Sequence, residues 1–137
     1  MKIAYGTYAM PKTRLEENIR LLADMSYDGI EICVSPRHQD AMPAAFDTVR
    51  RQQIRHLLQE HHMGIPALFM TGHLLHQEEA GHRDNIEHVR RTLQLARDIG
   101  AGDTPVLSMG IGGKSAQWDD VKDRIVDRLG DYADLGE

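Results

Sequence analysis

The sequence predicts an α/β fold of four consecutive strand–helix units with parallel strands. Two observations carry this. The spacing of apolar residues switches repeatedly between two and about 3.6, and each strand-like run is followed by a longer helix-like one. Strand, helix and strand in alternation imply parallel strands joined by right-handed crossovers. Periodicity alone leaves two layouts open: half of a closed (β/α)8 barrel, or an open doubly wound sheet.

The first unit is read as a strand at Lys2–Tyr8 and a helix at Arg14–Met25, with Thr13 and Glu16 as a capping box. Leu15, Ile19 and Leu22 fall on one helix face. The second is a strand at Gly29–Val34 and a helix at Ala45–His62, whose inner stripe is Phe46, Val49, Gln53, Leu57 and His61, widened by Ile54 and Leu58. The third is a strand at Ile65–Thr71 and a helix at Asn85–Ile99, on Ile86, Val89, Leu93 and Ala96, closed by Gly100 as a left-handed C-cap. The fourth is a strand at Thr104–Met109 and a helix at Trp118–Leu135, striped by Trp118, Val121, Ile125, Leu129 and Tyr132. No linker or low-complexity stretch divides residues 1–137, so a single domain is expected.

Composition narrows the function. The 137 residues are 41% hydrophobic and 27% charged, ordinary for one domain, but about half of the roughly 250 residues of a whole barrel. A net charge of −5 gives no electrostatic footprint for nucleic acid or an anionic membrane. The single cysteine, Cys33, excludes an internal disulfide. The N-terminus is too short and polar for a signal peptide, and no apolar run approaches about 18 residues, so a cytoplasmic protein is expected.

Tyr27-Asp28-Gly29-Ile30-Glu31-Ile32, Arg51–Leu58 with Glu60-His61-His62-Met63-Gly64-Ile65, and Ala96-Arg97-Asp98-Ile99-Gly100-Ala101 follow one another along the chain. In this order they resemble the xylose isomerase-like barrel superfamily, which includes sugar epimerases, inosose dehydratases, hydroxypyruvate isomerases and AP endonucleases. Ser26 stands where that pattern usually has glycine. The resemblance implies strands one to four of a TIM barrel, lacking strands five to eight. It implies metal-assisted proton transfer beside the carbonyl of a small sugar or polyol, with a divalent Mn, Mg, Zn or Co ion in the complete fold. The family's usual ligands begin with a glutamate on strand five, so none is carried onto this chain, and Glu137 is no substitute. Little activity is therefore expected of the chain alone, and a homodimer or a complementary C-terminal half is expected to close the barrel.

Glu31 alternates with Ile30, Ile32 and Val34, so it is expected to face the barrel interior as a catalytic or supporting contact, or to sit in a structural ion pair. His73 and His76 follow strand three, on the rim where barrel sites gather; His73 is the second candidate catalytic group. In the AP endonuclease branch a histidine near this point binds zinc, but the second one, after strand four, is replaced by Ser108-Met109-Gly110. Thr7, Arg37, His38, His76, Gly112 and Lys114 are candidate substrate contacts, Arg37 because a guanidinium suits a phosphate or carboxylate. His56, His61, His62 and His88 are placed on helices, away from the rim. Gly110–Ser115 ends like a phosphate-binding loop but has Ser108 where the full pattern needs glycine. Ligand binding without catalysis, nucleotide binding by an open α/β domain, and an AP endonuclease fragment are the alternatives.

Overall fold

The computed structural model describes residues 1–75, 78–112 and 117–135. It has strands β1 (Ala4–Gly6), β2 (Gly29–Val34), β3 (Leu68–His73) and β4 (Leu107–Gly110), and helices α1 (Leu15–Asp24), α2 (Thr48–Glu60), α3 (Glu79–Ile99) and α4 (Trp118–Ala133). The strands form one sheet in the order β1-β2-β3-β4. β1 pairs in parallel with β2, and β2 with β3. A doubly wound sheet reverses its strand order at a switch point; this one does not, and it matches half of a TIM barrel.

Two compact units are distinguished, Met1–Thr71 with Thr92–Ser108, and Gly72–Arg91 with Met109–Glu137. In the first, Ile30, Ile32 and Val34 of β2 are fully buried against Leu15, Ile19 and Leu22 of α1, Ile54 and Leu58 of α2, and Leu95, Ala96 and Ile99 of α3. Alternation on β2 therefore sends the aliphatic set to the helices, as expected. In the second unit Leu74, Val121 and Ile125 form a smaller cluster with Leu75 and Tyr132.

Several details differ from the periodic reading. Thr13 does not cap α1: the N-cap is Arg14, without a side-chain bond, and Glu16 is drawn instead to Arg50. α2 starts at Thr48 because Asp47 accepts the amide of Arg50 and caps it, which leaves Val49 on the exposed face. His61 and His62 lie beyond its end rather than within it. α3 begins at Glu79, earlier than the apolar stripe announces, because its first turns bury polar His82 and Asn85. On α4 only Val121 and Ile125 of the expected stripe are buried; Trp118 and Leu129 are exposed.

Three helices end in the same way. Ser26, His62 and Gly100 have φ of 64°, 54° and 97°. Each donates its N–H to the carbonyl three residues back, and the next residue donates to the carbonyl five back, which is the Schellman pattern. Gly100 was expected there; Ser26 and His62 occupy the left-handed position with a side chain.

Candidate active-site rim

β1 ends at Gly6 and passes directly into a 3-10 turn, Thr7–Ala9, so Thr7 and Tyr8 sit at the C-terminal end of the strand. Thr7 is buried and its Oγ1 accepts the amide of Cys33 at 2.8 Å, tying the first strand end to β2. Tyr8 is exposed, with its ring 5.6 Å from Phe69 in an edge-to-face arrangement and 6.0 Å from His38. Phe69, on β3, was not among the residues singled out from sequence.

Glu31 is partly buried on the β2 face opposite the aliphatic core. It pairs in register with Gly6, and a Cβ at Gly6 would stand 3.0 Å from its Oε1. Its carboxylate therefore occupies space left by the missing side chain. Cys33 shares this face and is buried; burial, followed by the nearby Glu31 charge, pushes its thiol up to about 11. It stays a neutral thiol at physiological pH, so it is no nucleophile.

His38 places Nε2 3.1 Å from the carbonyl of Tyr8 and Nδ1 3.8 Å from the Cys33 sulfur. A carbonyl can only accept, so Nε2 carries the proton and Nδ1 faces the thiol. Both ring nitrogens are directed at protein groups. Arg37 is exposed beside it, with its backbone N–H donating to Ser35 Oγ at 3.2 Å. Below the rim a cavity lined by Thr7, Asn18, Cys33 and His38 has about 10 Å³ of space, enough for one water and far too little for a sugar. Asn18 Oδ1, buried on its wall, has no hydrogen-bond partner among the described residues.

In the second unit His73 ends β3 and is exposed. Its carbonyl accepts from Asn85 Nδ2 at 3.2 Å, and Asn85 also bonds the Tyr132 hydroxyl. A Cβ at Gly110 would lie 3.2 Å from His73 Nδ1, and one at Gly112 would lie 2.8 Å from His73 Cβ. These glycines thus make room for His73. His76, Lys114 and the rest of 113–116 lie outside the described residues. A larger groove of about 550 Å³ runs along α3 and α4, not at strand ends. There His82 Nε2 is 2.7 Å from Asp131, and Arg128 pairs with Glu79.

A family model described as xylose isomerase-like TIM barrel matches residues 19–137. The chain belongs to that family. Among solved structures, this xylose isomerase-like chain is similar to D-psicose 3-epimerase with D-tagatose from Clostridium cellulolyticum H10, at a TM-score of 0.77 and 11% identity. The match covers 99% of this chain and 48% of the epimerase chain, so the protein spans about half the length of that relative. Among curated proteins none matches the chain. At this identity the likeness establishes the fold.

The family fold implies a divalent metal. Among the described residues no three His, Cys, Asp or Glu side chains lie together as a ligand set. The described residues do not fit a metal centre. No helix among the described residues is long and apolar enough to cross a membrane.

Proposed function

We propose that the chain is a sugar isomerase- or epimerase-like half-barrel that contributes the substrate rim of the first four strands. The observation that carries this is the Glu31 carboxylate of mid-β2, held over Gly6 at the end of β1, two residues before Tyr8, whose ring packs on Phe69. A carboxylate accepts hydrogen bonds from sugar hydroxyls, and an aromatic ring suits the C–H face of the same molecule. Glu31 is also proposed to hold or move a proton on a hydroxyl next to a carbonyl. Thr7 and Arg37 are proposed as further contacts on this rim. His73 is proposed separately, as a substrate contact from the end of β3.

β1 and β4 are the two edges of the described sheet. We propose that residues 1–137 form one half-barrel domain and that a second copy, or a complementary C-terminal half, pairs with these edges. Light scattering behind a sizing column is expected to give twice the 15.5 kDa chain mass; a monomer at micromolar concentration would rule out self-pairing.

The test of function is ketohexose binding, with D-tagatose as the probe, followed by exchange of the hydrogen beside its carbonyl in deuterated water. Binding that weakens in Glu31→Gln is expected. Binding without exchange would mark a non-catalytic module. Absence of any ketose binding, with divalent metal present or omitted, would sink the reading.

A further inference from the structure

Residues 35–47 join β2 to α2 and carry Arg37 and His38 on the rim, yet their only regular structure is the 3-10 turn Pro43–Ala45. A segment of this length needs its backbone groups satisfied from outside to hold one conformation. We propose that Arg50, in the first turn of α2, is the positioning residue that sets this loop and, through it, His38 and Arg37.

The guanidinium is buried and uses nearly all its donors. Nη1 donates to the carbonyls of Asp40 at 2.7 Å and Ala45 at 3.1 Å, one at each half of the loop. Nε and Nη2 form a fork with Glu16 of α1 at 2.8 and 3.1 Å. The plane rests 4.2 Å over the Phe46 ring. A planar fork can make these contacts together; an ammonium cannot.

Two costs point the same way. A cation in the first turn opposes the helix dipole, so the charge of Arg50 does not serve α2. Asp40 has φ of 50°, a left-handed conformation that non-glycine residues rarely adopt. Arg50 holds the carbonyl of that strained residue. From Asp40 the chain runs back through Gln39, whose N–H donates to Pro11 at 2.9 Å, to His38 on the Tyr8 carbonyl. Arg50 thus holds Asp40 directly, two residues from His38, without touching the rim itself.

The consequence for ligand binding rests on the proposed sugar-handling function. The test is Arg50→Lys, with Arg50→Met as a second variant, in the full chain. Three readouts are used: thermal unfolding, the ¹⁵N resonance of the His38 Nε2–H held on Tyr8, and D-tagatose affinity by calorimetry. The expected result is that Arg50→Lys unfolds cooperatively, loses or shifts the His38 signal, and weakens ketose binding about tenfold. Leu57→Ala, a core change away from the loop, is the control that lowers stability without moving the His38 signal. If Arg50→Lys leaves both the signal and the affinity unchanged, Arg50 is a packing residue and the proposal is overturned. If the wild type binds no ketose while the His38 signal still moves, the functional reading fails and the positioning role stands.

Discussion

The carboxylate of Glu31 lies over the α-carbon of Gly6, its partner in the parallel ladder, so close that a methyl group there would stand 3.0 Å from Oε1. Gly6 has φ of −88° and ψ of 130°, extended backbone that any residue adopts. The glycine is therefore needed for space and not for conformation. Gly6→Ala is expected to leave stability unchanged or slightly raised, since glycine weakens strands, while displacing the carboxylate and weakening ketose binding about tenfold. Calorimetric titration beside a melting curve separates the two effects; unchanged affinity would show that Glu31 does not face the ligand.

Ser26 and His62 close α1 and α2 in the left-handed conformation that Gly100 adopts freely at the end of α3. A Cβ at such a position costs roughly 1–2 kcal/mol, partly offset by the entropy glycine loses on folding. Ser26→Gly and His62→Gly are each expected to stabilise the fold by about 0.5–1 kcal/mol, and the double variant measures any coupling between the two helix ends. Urea unfolding of both single variants and the double variant measures this. A loss of stability in Ser26→Gly would mean that its side chain supports the turn.

The alternation of Ile30, Glu31, Ile32, Cys33 and Val34 made β2 legible to the residue, because one face had to meet helices and the other did not. The same alternation placed Glu31 on the face opposite that core. Local chemistry was harder to read where a residue serves a distant partner. Glu16 resembled a capping-box member, yet the buried Arg50 claims its carboxylate from 34 positions away. Nothing in the sequence near Arg50 announces this, since a basic residue in a polar helix reads as solvated. Phe69 and Asn85 were missed for the same reason: their partners, Tyr8 and Tyr132, are remote in the chain. Periodicity also overextended the stripe of α4, where Trp118 and Leu129 are apolar but exposed.

Cys33 is expected to resist alkylation. Its thiol is buried and its ionisation is pushed up from 9.0 to about 11, by burial first and the Glu31 charge second. The folded pKa lies above the unfolded one. The contribution to stability is thus fully present below pH 9 and is lost as pH rises towards 11. Iodoacetamide at pH 8 should modify the native chain far more slowly than the urea-unfolded chain. Cys33→Ala should remove part of the alkaline loss of stability. Rapid labelling of the native protein at pH 8 would contradict the burial.

Glu16 supplies the opposite limb. Burial raises its carboxyl, but the Arg50 hydrogen bond, with the Arg50 and Arg14 charges, outweighs this and holds it below the usual value of 4.5. A depressed folded pKa contributes stability that is present above 4.5 and is lost as pH falls through the folded value. Glu16→Gln is expected to destabilise the protein at pH 7 and to flatten the acid side of the stability profile. Equal slopes in wild type and variant between pH 5 and 3 would show that the Glu16 charge is screened.

Gly112 combines the two demands that glycine alone meets. Its φ is 80°, and a Cβ would stand 2.8 Å from His73 Cβ and 3.2 Å from His73 Cγ. His73 has little freedom to yield, since the adjacent Leu74 amide is bonded to the Gly110 carbonyl at 3.0 Å and its own carbonyl is held by Asn85. Gly112→Ala is expected to cost at least about 1–2 kcal/mol from the backbone conformation alone, and to displace the His73 ring. Gly110→Ala meets a looser contact, 3.2 Å from a ring atom, and should cost less. Chemical denaturation of the two variants, read beside the ¹H–¹³C signals of the His73 imidazole, tests the order. A Gly112→Ala variant as stable as wild type, with its His73 signals unmoved, would mean that this loop does not seat the histidine.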